Sequence, residues 1–211
     1  MVLRLFSRGS ASTLHPWLPY LPPLGEDITV MEILDLERIR SGFPGITPTL
    51  GETLLEACLV CLEKLNHTPG TVLNVFGDWN VDLELQWTTL VDERMRRAWG
   101  NRNETTEFAA VCLIALLVEH LTPYVVLERA NDDTGIDYWL MSKSTPTEEK
   151  VSGRLEISGI FSGTPAQINQ RCRLKLIQSE QSDDTNLPAI IGIAEFSKPQ
   201  TRLEGKDERY K

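Results

Sequence analysis

Apolar residues recur at helical spacing through Leu50, Leu54, Cys58, Cys61 and Leu65, with Thr47 placed to cap the run and Pro48 in its first turn. This predicts a helix that ends near His67, before Pro69 and Gly70. Residues 71–76 and 81–87 are rich in β-formers and separated by Gly77-Asp78-Trp79-Asn80, the composition of a hairpin. Residues 88–99 read as a short helix carrying Arg94, Arg96 and Arg97. Asn103 can cap a longer helix reaching about residue 121, whose near-continuous apolar surface from Phe108 onward demands cover on most sides. Two strands, 124–130 and 136–141, flank a turn at 131–135 and should pair antiparallel. A third strand over 154–161, a helix from Thr164 and Pro165 to about residue 181, and a strand over 189–196 complete the pattern.

The order from residue 103 is helix, three strands, helix, strand. The fold class it predicts is α/β (α+β), a mixed central sheet flanked by helices, because the last helix is a crossover that returns the final strand beside an earlier one. Along the chain this gives an extended Pro-rich arm over 1–30, a helix and hairpin lobe over 31–100, a core over 101–199 and a charged, fraying tail over 200–211, together forming one compact unit.

Composition narrows the function classes. With 41% hydrophobic and 24% charged residues the chain has the makeup of a soluble globular protein. Lys and Arg total 21 against 30 Asp and Glu, a formal charge of −9, which argues against a stand-alone protein that grips nucleic acid by bulk charge. A protein partner or a second copy of the chain is therefore expected to assist any capture of DNA or RNA. The three arginines at 94, 96 and 97 read either as a solvated helix face or as a phosphate contact. Residues 108–118 fall well short of the roughly 20 needed to span a bilayer, so no membrane role is expected. Four cysteines are too sparse for a disulfide framework, and a reducing cytoplasm fits them. Cys58 and Cys61 have CxxC spacing but fall inside a helical run, which favours packing over redox chemistry, and the three histidines lack the spacing of a zinc site. No Walker A loop, GxGxxG or GxSxG motif is present.

Two acids stand out. Asp137 and Glu156 lie on neighbouring predicted strands and can converge on one side of the sheet, where alternation sets Glu156 with Ser158 and turns Leu155 and Ile157 away. A carboxylate among apolar neighbours is costly unless something balances it. A divalent cation would do so, and hard oxygen ligands favour Mg²⁺ or Mn²⁺. The bland alternatives are that Asp137 closes the 131–135 turn and that Glu156 pairs with Arg154.

In element order and in these two acids, residues 103–197 resemble the PD-(D/E)xK phosphodiesterase superfamily, whose restriction-endonuclease-like core is the same αβββαβ arrangement. The resemblance implies metal ligation by Asp137 and Glu156, assistance from Glu107 on the first helix, and hydrolysis of nucleic-acid phosphodiesters by water activated at Mg²⁺. It also suggests, by analogy, a bacterial DNA-processing or defence system. The chain departs from the superfamily's pattern at two places: Ser158 stands where the lysine belongs and Ile136 where the proline belongs. A substitute cation can come from the next helix. With Ile168 at zero, Cys172 falls at about 40° and Lys175 at about 340° around the helix, so Lys175 borders the stripe that faces the sheet, and Arg171 and Gln178 lie farther round on the same side. The competing reading is a catalytically inactive relative that serves as a protein-interaction or nucleic-acid-binding subunit.

Overall fold

Asn101, not Asn103, starts the central helix. Its side chain accepts the N–H groups of Asn103 (3.1 Å) and Glu104 (3.4 Å), which meets two of the unpaired donors at a helix start. The computed structural model describes residues 31–144 and 150–206. The expected Pro-rich arm and the end of the expected tail, 207–211, lie outside the described residues.

The strands are β1 (Glu32–Asp35), β2 (Thr71–Gly77), β3 (Val81–Gln86), β4 (Tyr124–Arg129), β5 (Tyr138–Ser142), β6 (Val151–Ile160), β7 (Ala189–Glu195) and β8 (Gln200–Gly205). The helices are α1 (Pro48–Lys64), α2 (Glu93–Ala98), α3 (Arg102–Leu121) and α4 (Pro165–Gln178), with 3-10 turns at Leu36–Ser41, Asp132–Thr134 and Ser179–Thr185. Among the described residues no helix is long and apolar enough to cross a membrane.

All eight strands join one mixed sheet in the order β1-β3-β2-β8-β7-β6-β5-β4. β4, β5 and β6 pair antiparallel in succession, and β7 lies parallel to β6 after the α4 crossover. Residues 200–205, expected to fray as part of the tail, instead form β8, antiparallel to β7 and parallel to β2. Their charges misled because they alternate with buried Thr201 and Leu203, and Arg202 reaches Glu204 (3.0 Å) and Asn169 (2.6 Å). β8 thereby carries the sheet from the 71–86 hairpin into the C-terminal strands without a break.

Each helix is placed by its apolar face. Thr47 accepts the Leu50 N–H at 3.2 Å, Pro48 occupies the first turn, and Leu54, Leu55, Cys58, Leu59, Cys61 and Leu62 of α1 are buried. α3 is buried almost all round, from Ala109 to Val118 except at Val111. It packs between α1 and the β6–β7 face that bears Leu155, Ile157, Ile190 and Ala194. Gly159 permits this approach, since a Cβ there would sit 2.4 Å from the Thr106 carbonyl oxygen. α4 covers the opposite face, packing Ile168 and Cys172 on Ile191 and Ile193. Strand alternation then sends Leu155 and Ile157 toward α3 and Glu156 and Ser158 toward α4.

Two buried charges tie the connections. Glu195 accepts the N–H groups of Gly163 (3.2 Å), Ser197 (2.9 Å) and Lys198 (3.1 Å), the Gln200 amide (3.1 Å) and the Ser197 hydroxyl. It joins the β6–α4 loop to the β7–β8 turn. Arg154 donates to the carbonyls of Leu187 (2.9 Å) and Ser179 (3.1 Å), to Ser182 Oγ (3.1 Å) and to Asp183 (2.8 Å), fastening the segment between α4 and β7.

Candidate active site

β5 stops short of β6. The last pairing between them at this end joins Tyr138 and Leu155, whereas β6 continues to Ile160 with β7 on its other side. The backbone N–H of Asp137 reaches the Leu155 carbonyl at 3.0 Å, and then the chain turns away. The Ile157 N–H, which β5 no longer meets with a carbonyl, donates to Asp137 Oδ2 at 2.7 Å. The side chain of Asp137 thus extends the strand pairing by one bond and is held by it. The turn before it is fixed by Gly135 at φ 67, where a Cβ would fall 2.2 Å from the Gln178 carbonyl oxygen.

The notch beside β6 opens into a cavity of about 350 Å³. Its polar side carries Asp137 from the start of β5, Ser158 from β6, Arg129 from the end of β4, and Arg171 and Lys175 from α4. Its other side is apolar: Leu50 and Leu54 of α1, Phe108 and Val111 of α3, and Ile157. Glu107, exposed on α3, lines the same space.

Glu156 is fully buried and adjoins the cavity through Lys175, whose Nζ donates to Glu156 Oε1 and to Gln178 Oε1 (3.1 Å). Glu156 Oε2 is buried without a hydrogen-bond partner. Burial pushes the Glu156 carboxyl up to about 7, and the charge of the adjacent Asp137 pushes the same way, while Lys175 pulls it back. With both acids ionised neither carries a donor, so the buried oxygen is satisfied either by a proton shared with Asp137 or by a cation. Among the described residues no cluster of three or more His, Cys, Asp or Glu forms here.

Sequence reasoning singled out Asp137, Glu156, Ser158, Lys175, Arg171, Gln178 and Glu107, and the fold gathers them at one end of the sheet. Ser158 accepts from Arg171 at 2.9 Å, which brings a guanidinium from α4 to this position of β6. Arg154, the alternative partner for Glu156, points instead to the 179–187 segment. Arg94, Arg96 and Arg97 belong to α2 and do not line the cavity, and Arg96 is committed to Glu63 (2.6 Å) and Glu93 (2.6 Å). Sequence reasoning missed Arg129. Its signal was available, because the 124–141 hairpin sets it opposite Tyr138, one residue from Asp137. Comparison of the chain with family models, with curated proteins and with solved structures found no match to any of them.

Proposed function

We infer that the chain is a divalent-metal-dependent phosphodiesterase acting on nucleic acid, built on a restriction-endonuclease-like core. The carrying observation is that carboxylates from the start of β5 and from β6 meet beside a cavity, with Lys175 bonded to one of them. The helix, three strands, helix, strand order over 102–195 and its antiparallel, antiparallel, parallel pairing support the same reading.

Asp137 and Glu156 would hold Mg²⁺ or Mn²⁺. When bound there, the ion supplies a lowered pKa for water and neutralises charge on the reacting phosphate. The remaining roles belong to the chain. The Ile157 N–H fixes Asp137, and Lys175 engages Glu156 Oε1 so that Oε2 stays free to ligate. Lys175 also provides the positive charge that Ser158 lacks. Arg171, braced by Ser158, and Arg129 present planar donors suited to phosphate oxygens. Glu107 can accept hydrogen bonds from water at the cavity wall.

The test is incubation of the purified protein with single- and double-stranded DNA and RNA in Mg²⁺, Mn²⁺ or EDTA, beside Asp137→Ala and Glu156→Ala. Cleavage that disappears in EDTA and in both variants supports the reading, and cleavage that persists in the variants refutes it. One observation favours a second reading, a non-catalytic interaction subunit on the same scaffold: Lys175 already compensates Glu156 without any ion. Absence of cleavage in every metal, with intact folding, favours that reading.

A further inference from the structure

The cavity beside the acids is lopsided. Arg129, Arg171 and Lys175 stand on its polar side, yet the wall contributed by Leu50 of α1 and by Phe108 and Val111 of α3 is apolar apart from the exposed Glu107 at its edge. Val111 is the one position between Ala109 and Val118 that the packing leaves partly open, and the space it opens onto is this cavity. A phosphate alone has no use for such a wall, whereas an aromatic base attached to the phosphate does. At about 350 Å³ the cavity falls at the small end of ligand pockets, which suits a single nucleotide unit and is too confined for stacked base pairs.

A second cavity, of about 430 Å³, shares Glu107, Gly159 and Arg171 with the first and leads to Arg102 and Phe161. The Arg102 guanidinium lies over the Phe161 ring, 5.6 Å from its centre. The Arg102 guanidinium, braced on that ring and joined through Arg171 to the first cavity, offers donors to the backbone of a neighbouring nucleotide and a planar cationic face to its base in an unpaired strand.

Resting on the phosphodiesterase reading, we propose that the site takes an unpaired nucleotide, its base against the Leu50–Phe108–Val111 wall and its neighbour along the Arg171–Arg102 path, and so selects single strands over duplex. Bases inside a duplex reach such a pocket only after unstacking, which costs energy that a single strand has already spent.

The test is binding, read by fluorescence anisotropy of the full chain in Ca²⁺. The probes are a labelled single strand of about 12 nucleotides and the same sequence as a blunt duplex. The single strand should bind at least about tenfold tighter than the duplex. Leu50→Trp and Val111→Phe, which narrow the pocket from two different helices, should each weaken single-strand binding about tenfold while their circular-dichroism spectra match wild type. Equal affinity for duplex, or unchanged single-strand binding in both folded variants, overturns the proposal and leaves the phosphodiesterase reading to the cleavage assay. Failure to bind either probe also overturns it, and the cleavage assay again judges the chemistry separately.

Discussion

Asp137 accepts the backbone N–H of Ile157 at 2.7 Å at the point where β5 has stopped pairing with β6. One carboxylate therefore completes a sheet and faces a second carboxylate, and these two duties can be separated. Asp137→Asn keeps an oxygen able to accept the Ile157 N–H but loses the charge a metal needs. Its stability should stay within about 1 kcal/mol of wild type. Cleavage should fall by a factor of about 100 or more. Asp137→Ala should lose both. Melting curves and initial rates on one oligonucleotide compare the three proteins.

Glu156 gives a signed pH effect. Its folded-state pKa, about 7, lies above its ordinary 4.5, so the folded protein keeps a proton that the unfolded chain releases in that window. Stability should accordingly decline as pH rises from about 4.5 to about 7, by roughly 3 kcal/mol, and level off above. Added Mg²⁺ should recover part of the loss at pH 8 and little at pH 5, as expected of an ion proposed to bind the ionised pair. Urea unfolding at several pH values with and without Mg²⁺ measures both.

Lys175→Met tests the ion pair from the other side. At pH 8 it strands a buried, ionised Glu156, and the melting temperature should drop by several degrees. At pH 5.5 Glu156 is protonated and the deficit should shrink. A deficit independent of pH would mean that Lys175 contributes by packing alone.

Glu195 behaves oppositely to Glu156, although both are buried acids in adjacent strands. Burial by itself would raise the Glu195 pKa, but bonds from Ser197, Gln200 and the backbone of Lys198 and Ser197 outweigh it and hold the carboxyl below its ordinary value. The stability it confers is present above pH 4.5 and is lost as pH falls through its lowered pKa. Glu195→Ala should cost about 2–4 kcal/mol at pH 7, and the deficit should narrow under acid.

Much of this architecture is legible in the residues. The spacing of Leu54, Cys58 and Cys61 gives α1, the unbroken apolar run after Phe108 gives a helix enclosed by neighbours, and the turn before Asp137 gives the β4–β5 pairing. β8 was hidden because a strand of alternating charge and Thr or Leu reads as tail until partners on both sides are known. The acids were visible as carboxylates in apolar surroundings, and Lys175 through helical phase. The apolar wall was not, because Leu50 and Phe108 look like any core residues in one dimension; only the early end of β5 leaves them facing a space. Arg129 was overlooked because nothing local distinguishes a strand-end arginine, and its place beside the site comes from the hairpin register.

Asp137 and Glu156 are proposed to share one divalent ion. Titration of Mn²⁺ followed by electron paramagnetic resonance measures it without requiring turnover, substrate or partner. One tight site per chain, lost in Asp137→Ala and in Glu156→Gln while both variants remain folded, is the predicted result. No tight site, or one that survives both substitutions unchanged, would contradict the account.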